Sequence, residues 1–129
     1  MGPDAETVVA RARALVGGRF RSQGRDAVRG VDCVGLVAAA LGKRPERDDY
    51  ALRGNRIERV EQGLHAVGLR PADRVTAGDV LVMRSGAEQL HLGLWTGDGL
   101  VHADARLRRV VERPGDPPWP IISVWRAED

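Results

Sequence analysis

The chain is organised around the stretch Val31-Asp32-Cys33-Val34-Gly35-Leu36-Val37-Ala38-Ala39-Ala40-Leu41, which contains the only cysteine in 129 residues. Its alanines and leucines favour a helix, and Gly42 is well placed to end it. Asp32 is a natural N-cap, so Cys33 falls in the first turn, among unpaired amide N–H groups and the positive end of the helix dipole. Both features favour the thiolate, which is the nucleophilic form. The alternative interpretation is a buried, unreactive cysteine.

The composition indicates one soluble globular domain over residues 1–129. Hydrophobic residues make up 43% and charged residues 29%, and no apolar run approaches the length of a membrane span. One cysteine cannot form an internal disulfide, so no oxidising compartment is implied. The net charge of +2 comes from arginines interleaved with acidic residues. This pattern indicates a solvated surface, and we expect neither a nucleic-acid partner nor a membrane span.

Two further helices are predicted on either side of the cysteine helix. The first covers Asp4–Val16, which Gly17-Gly18 ends, with an inner stripe of Val8, Ala12, Leu15 and Val16. The second begins at a capping arrangement of Asn55 and Glu58 and ends at Gly68. Its apolar positions recur at helical spacing, at Ile57, Val60, Leu64 and Val67. Residues 17–30 are predicted to form a loop.

From Val75 onward, short β-prone runs alternate with turns. Five strands are predicted, at Val80–Arg84, Leu90–Trp95, Leu100–Ala105, Arg108–Arg113 and Ile121–Arg126. Residues 114–120 are rich in proline and are interpreted as a connection before the last strand. Helices followed by an antiparallel sheet define an α+β architecture.

Two of the three histidines fall in one predicted hairpin, closed by Thr96-Gly97-Asp98-Gly99. A symmetric turn pairs Trp95 with Leu100 and, further along, Gly93 with His102. In this register His91 and His102 are diagonal neighbours on one face of the hairpin. Diagonal neighbours of this kind lie roughly 7–8 Å apart at the backbone. Gly93, between them, is expected to leave room for both rings. The same register places Asp104 opposite His91.

A thiolate nucleophile needs a base to take its proton, and the base needs a third group to orient it. Cys33, His91 and His102 can fill these roles if the helix start packs against the hairpin. Asp104 is the alternative third residue, and we expect His102 to be partly exposed. A zinc site from Cys33, His91 and His102 is the competing chemistry. No C-x-x-C or H-x-x-x-H ligand pair is present, so no metal or other cofactor is predicted.

Several short motifs together resemble those of NlpC-type cell-wall cysteine peptidases. They run in the same order as in that family, from about Ala10 to about Ala105: Asp32-Cys33-x-Gly35-Leu36-Val37, Gly78-Asp79-Val80, His91-x-Gly93-Leu94, Gly97-x-Gly99 and His102-Ala103. The resemblance implies a papain-like α+β fold, with the nucleophilic cysteine at a helix start packed on an antiparallel sheet. It also implies hydrolysis of peptide bonds in the peptidoglycan stem, commonly at the γ-D-glutamyl link to a diamino acid. By position, Cys33 matches the nucleophile, His91 the base and His102 the orienting residue.

Two positions depart from the family pattern. The family usually has a tyrosine upstream of the cysteine, and the corresponding residue here is Phe20. The oxyanion and substrate would then depend on the Cys33 N–H and on neighbouring groups, among which we single out Gln23, Phe20 and Asp32. Val34 replaces the usual serine after the cysteine, which we expect to affect packing more than chemistry.

The sequence Gly24-Arg25-Asp26, followed by the cysteine motif, most resembles the subgroup found with phage tails and gene transfer agents. Structural proteins of such a particle are therefore expected partners, beside the stem peptide as substrate. Residues 1–6 lack the features of a secretory signal, so we expect synthesis in the cytoplasm and action on the cell wall from a phage-like particle. The alternative function is a non-catalytic tail-assembly or cell-wall-binding module with the same fold. An acyltransferase or amidase on this scaffold is a third interpretation.

Overall fold

The computed structural model describes residues 2–19, 25–26, 30–31, 33–43, 57–87 and 89–127. Three helices are formed within these residues, α1 (Ala5–Ala14), α2 (Cys33–Ala40) and α3 (Ile57–Ala66). The strands are β1 (Arg25–Asp26), β2 (Gly30–Val31), β3 (Leu69–Pro71), β4 (Val80–Gly86), β5 (Gln89–Trp95), β6 (Gly99–Asp104), β7 (Arg109–Pro114) and β8 (Ile121–Ala127).

Helix α1 begins where the sequence predicts. The Asp4 side chain caps it by accepting a hydrogen bond from the Thr7 N–H at 2.8 Å. Val8 and Ala12 are buried as predicted, whereas Val16 is 40% exposed, so its place in the inner stripe is wrong. The helix ends at Ala14, and the chain then turns toward β7, where the Gly17 N–H donates to the Val110 carbonyl at 2.8 Å. Val16 therefore lies beyond the helical period.

Helix α2 is the centre of the fold. Nearly all of its residues are buried, and it packs against α1, β5 and β6. A helix that is apolar on every side belongs in a core, and Gly42 follows it with φ +71°. In the part of the chain that the structure describes, no helix is long and apolar enough to cross a membrane.

Helix α3 confirms the predicted apolar stripe. Val60 and Leu64 are 2% and 5% exposed, and Ile57 and Val67 pack against the same core cluster. Gly68 follows the helix with φ +91°, a conformation that favours glycine. The predicted cap, Asn55, lies outside the described residues.

The main sheet has six strands in the order β3-β8-β4-β5-β6-β7, and all its pairings are antiparallel. Its five longer strands match the predicted ones within two residues, which confirms the α+β fold. Three short strands, β1, β2 and β3, were not predicted from the sequence. Residues 25–26 pair antiparallel with residues 30–31, at the end of the predicted loop, and β3 adds an edge strand beside β8.

Asp79 ties the start of β4 to the rest of the sheet. Its side chain is fully buried, and its two oxygens accept hydrogen bonds from the Arg126 guanidinium at 2.8 and 2.9 Å. One of them also accepts from the Thr76 N–H at 2.8 Å, and the Asp79 carbonyl accepts from the Trp95 N–H at 2.9 Å. These hydrogen bonds and the bidentate pairing with Arg126 offset the desolvation penalty of the buried carboxylate.

Gly78, just before this aspartate, allows α1 to approach the sheet closely. It has φ +92°, and a Cβ atom there would lie 2.8 Å from the Cα of Ala5 and 2.9 Å from its Cβ. The Gly78-Asp79 pair therefore has a structural role, because it joins β4, β8 and the start of α1.

Candidate active site

The two hairpin histidines meet, and they do so in the predicted register. Trp95 pairs with Leu100 and Leu94 with Val101, as a symmetric turn requires, and the paired ladder ends there. His91 Nε2 lies 3.1 Å from His102 Nδ1, so one imidazole donates a hydrogen bond to the other. The ring planes are nearly perpendicular, at 84°, with centroids 5.1 Å apart.

Two expectations about this face are wrong. The space above Gly93 is filled by other side chains, because a Cβ there would lie 2.6 Å from Leu100 Cδ1 and 3.2 Å from Met83 Cε. Gly93 thus admits a compact apolar cluster beside the histidines rather than the histidine rings. His102 is only 3% exposed and not partly exposed as predicted, because the rings of His91 and Trp119 pack against it.

Cys33 is the first residue of α2 and is buried at 4% exposure. The helix that it begins packs against β5 and β6, the strands of His91 and His102. The condition on which the sequence argument depended, that the cysteine helix packs against the histidine hairpin, is therefore met. Direct contact between the Cys33 thiol and His91 stays a prediction.

The remaining predicted site residues fall in two groups. Phe20, Gln23 and Asp32 lie outside the described residues. Asp104 is the last residue of β6, and its Oδ1 accepts hydrogen bonds from the N–H groups of Arg106 and Leu107 at 2.9 and 3.0 Å. These contacts give Asp104 a turn-capping role, while its charge still raises the pKa of both histidines.

Trp119 was missed by the sequence argument, which treated residues 114–120 as a plain connection. Its indole centroid lies 5.0 Å from that of His91 and 5.2 Å from that of His102, edge to face with each. The loop is anchored at both ends, since the Gly115 N–H donates to the Asp98 carbonyl and the Arg84 N–H to the Pro120 carbonyl. A proline-rich loop with fixed ends holds the indole over the histidine pair.

Burial of His91 and His102 determines their protonation state. The pKa of His91 is lowered from 6.5 to about 4, chiefly by desolvation and then by His102, with Asp104 opposing. The pKa of His102 is also lowered, again chiefly by burial, with Asp104 opposing and Arg113 adding to the effect. Both rings are therefore neutral near pH 7, and a neutral imidazole is the form that acts as a base.

This lowered pKa predicts a loss of stability in acid. The unfolded chain binds a proton at His91 near pH 6.5 and the folded chain only near pH 4, so protonation favours unfolding. Between these pH values the free energy of unfolding should fall by roughly 3 kcal/mol through His91 alone, at about 1.4 kcal/mol per pH unit. Denaturant unfolding at several pH values, with His91→Gln as the reference, measures this contribution. An equal pH slope in both proteins would contradict it.

No group of three or more His, Cys, Asp or Glu residues that could hold a metal ion is found among the residues the structure describes. Cys33, His91 and His102 thus do not appear there as a ligand cluster.

The architecture matches that of solved NlpC/P60 structures. NlpC1 from Trichomonas vaginalis superposes with a TM-score of 0.69 at 16% identity, over 96% of this chain and 44% of that one. The peptidoglycan hydrolase RipB from Mycobacterium tuberculosis gives 0.62 at 22% identity, over 97% and 65%. The P60 domain of an antigen from M. avium subspecies paratuberculosis gives 0.58 at 18% identity, over 95% and 93%. No family model and no curated protein matches the sequence.

At these identities the comparisons show the fold: the chain has the papain-like α+β fold of NlpC/P60 domains. It spans less than two thirds of NlpC1 and of RipB.

Proposed function

We propose that the chain is a cysteine peptidase that hydrolyses peptide bonds in peptidoglycan stem peptides. The observation that carries the proposal is the buried pair of neutral histidines on strands against which the cysteine helix packs. The fold it shares with solved peptidoglycan hydrolases supports the same substrate class.

The pair suggests how the reaction proceeds. Because His91 Nε2 contacts His102 Nδ1, a proton on Nε2 leaves Nδ1 of His91 as the atom that accepts the thiol proton of Cys33. The thiolate attacks the carbonyl carbon, and the oxyanion is stabilised by N–H groups at the start of α2. The amine leaves with the proton from His91, and water then hydrolyses the thioester with His91 as base.

Digestion of purified peptidoglycan, followed by mass spectrometry of the fragments, tests the proposal. We expect fragments cut at the γ-D-glutamyl bond to the diamino acid, as the sequence resemblance implies. Intact polymer after prolonged incubation would instead favour the second candidate, a non-catalytic cell-wall-binding or tail-assembly module. Phe20, in place of the usual tyrosine, is the observation that favours that candidate.

The reactivity of Cys33 gives a second measurement. A cysteine in the first turn of a helix should be alkylated by iodoacetamide well below pH ~8.5, where a free cysteine is mostly protonated. In His91→Gln we expect the alkylation profile to move toward that of free cysteine. If the native profile already equals that of free cysteine and the substitution leaves it unchanged, Cys33 and His91 do not interact.

We further propose that the chain acts on the cell wall as part of a phage-like particle. This rests on the resemblance of the cysteine motif and the preceding Gly24-Arg25-Asp26 to the subgroup found with phage tails and gene transfer agents. Co-sedimentation of the chain with particles from the producing cells tests it. Recovery of the chain only in the soluble fraction would contradict the proposal.

A further inference from the structure

His91 and His102 meet where their two strands are no longer paired with each other. Within residues 89–127, the ladder between β5 and β6 ends at Leu94 and Val101, and both histidines lie beyond it. Each strand is held there by its other neighbour, β5 by β4 and β6 by β7. The placement of one imidazole against the other therefore depends on side-chain contacts rather than on backbone hydrogen bonds between β5 and β6.

The hydrogen bond between the two imidazoles is a weak restraint by itself. Nε2 of His91 lies 3.1 Å from Nδ1 of His102, and both rings are neutral near pH 7. A hydrogen bond between neutral groups adds little net free energy, because water can replace either partner. An imidazole that turns about its Cβ–Cγ bond takes its nitrogen out of line with the other ring. A further contact is needed to hold the nitrogens in line.

The Trp119 indole makes that contact with both rings at once. Its centroid lies 5.0 Å from that of His91 and 5.2 Å from that of His102, at interplanar angles of 75° and 89°. The two imidazoles are themselves 5.1 Å apart at 84°. Every pair in this three-ring cluster therefore has the edge-to-face arrangement that aromatic rings favour. Turning either imidazole out of its plane would break its contact with the indole as well as the hydrogen bond.

Trp119 is itself positioned by backbone outside the histidine strands. It is half-buried and stands between Pro118 and Pro120, which restrict the backbone on both sides of it. The Pro120 carbonyl accepts a hydrogen bond from the Arg84 N–H at 3.0 Å, which ties this segment to β4. The indole therefore acts as a fixed wall against which the two imidazoles pack.

We propose that Trp119 is a positioning residue, which holds the imidazoles of His91 and His102 in the orientation that joins Nε2 of one to Nδ1 of the other. The inference rests on the proposed function for the reaction that this orientation serves. Because Trp119 acts through the histidines, its loss should lower kcat and leave KM nearly unchanged. It should also admit water to the hydrogen bond between the two rings.

The kinetic test compares Trp119→Leu with Trp95→Leu at about pH 8, where a histidine is neutral even at its ordinary pKa. Trp95 is the matched control, because it is a second partly buried indole packed against the same cluster of Leu81, Met83 and Leu100. We expect Trp119→Leu to lower kcat about tenfold and to change KM less than twofold. Trp95→Leu should leave both values within about twofold of the native protein.

Nuclear magnetic resonance of protein labelled with ¹⁵N-histidine tests the orientation without turnover. The ring N–H between His91 and His102 should give a slowly exchanging signal in the native protein and in Trp95→Leu. In Trp119→Leu the signal should be lost through exchange with water. His65, the third histidine, is exposed, so its ring N–H exchanges too fast to be confused with this signal.

Trp119→Phe retains a smaller ring and should show the same changes to a lesser degree, with kcat about threefold lower. It decides the question if Trp119→Leu does not fold. Loss or broadening of the N–H signal in the Trp119 variants alone supports the positioning role even if no protein cleaves peptidoglycan, so the two proposals can fail separately.

Three results would overturn the positioning role of Trp119. The first is an N–H signal that stays as in the native protein in both Trp119 variants. The second is a rise in KM with kcat unchanged, which would make Trp119 a substrate contact. The third is an equal loss of kcat in Trp95→Leu, which would assign the effect to the apolar cluster as a whole.

Discussion

Replacing Cys33 with serine is expected to lower turnover of peptidoglycan stem peptides by at least about 10³-fold. A serine hydroxyl is far less acidic than a thiol, so the neutral His91 cannot generate the nucleophile at a useful rate. The substitution nearly preserves the size of the side chain, which matters because Cys33 is buried among the core residues. The measurement is kcat on a defined stem peptide, with thermal unfolding recorded on the same sample.

Iodoacetamide and a chelator complete this experiment. Alkylation should abolish the activity of the native protein, while a metal chelator should leave it intact. Stoichiometric zinc in the purified protein, with activity lost on chelation, would identify the competing zinc chemistry. Activity that survives both iodoacetamide and the chelator would show that Cys33 has no part in the mechanism.

The sequence could predict those parts of the fold that depend on local pattern. The apolar period of α3 requires burial of one face and the uniformly apolar α2 requires burial on all sides, and both helices are found where the pattern places them. The register of the histidine hairpin followed from its Gly-Asp turn alone, because turn length sets strand pairing. His91 and His102 could therefore be brought together without a structure.

The parts that could not be predicted depend on contacts between distant segments. The two-residue strands β1 and β2 carry no periodicity, and β3 is defined only by its pairing with β8. Arg126 reaches Asp79 across 47 positions, and nothing local distinguishes it from the other arginines. Burial of His102 and the contacts of Trp119 depend on where the proline-rich loop is anchored, which requires the folded sheet.

The second large effect is expected at the histidine pair. His91→Ala should lower kcat by about 10³-fold, since it removes the base that accepts the thiol proton. His102 acts through His91, so His102→Ala should lower kcat by roughly 10²-fold. Because His102 is 3% exposed, the alanine variant should also lose about 2–4 kcal/mol of stability from the cavity that it leaves. Turnover must therefore be compared at a temperature where every variant is folded.

The contact between His91 Nε2 and His102 Nδ1 predicts an order among the variants at position 102. An asparagine oxygen stands two bonds from Cβ, as Nδ1 does in histidine, so His102→Asn retains an acceptor at nearly the same place. A glutamine oxygen stands one bond further out and must bend back to reach His91. We expect kcat to decrease in the order native, Asn, Gln, Ala, and the acid limb of the pH profile to shift with it.

Variants of Asp104 separate two effects: orientation of the His91 ring by a hydrogen bond, and the effect of a nearby negative charge on the two histidines. Its oxygen is already used by the N–H groups of Arg106 and Leu107, so Asp104→Ala should loosen that turn and change kcat less than fivefold. Asp104→Asn retains an acceptor for the turn and removes only the charge, which should lower the pKa of both histidines further. If Asp104→Ala abolishes turnover while His102→Asn and His102→Ala stay near the native rate, Asp104 is the third residue. The orienting hydrogen bond would then come from the carboxylate, and the contact between the two rings would serve packing alone.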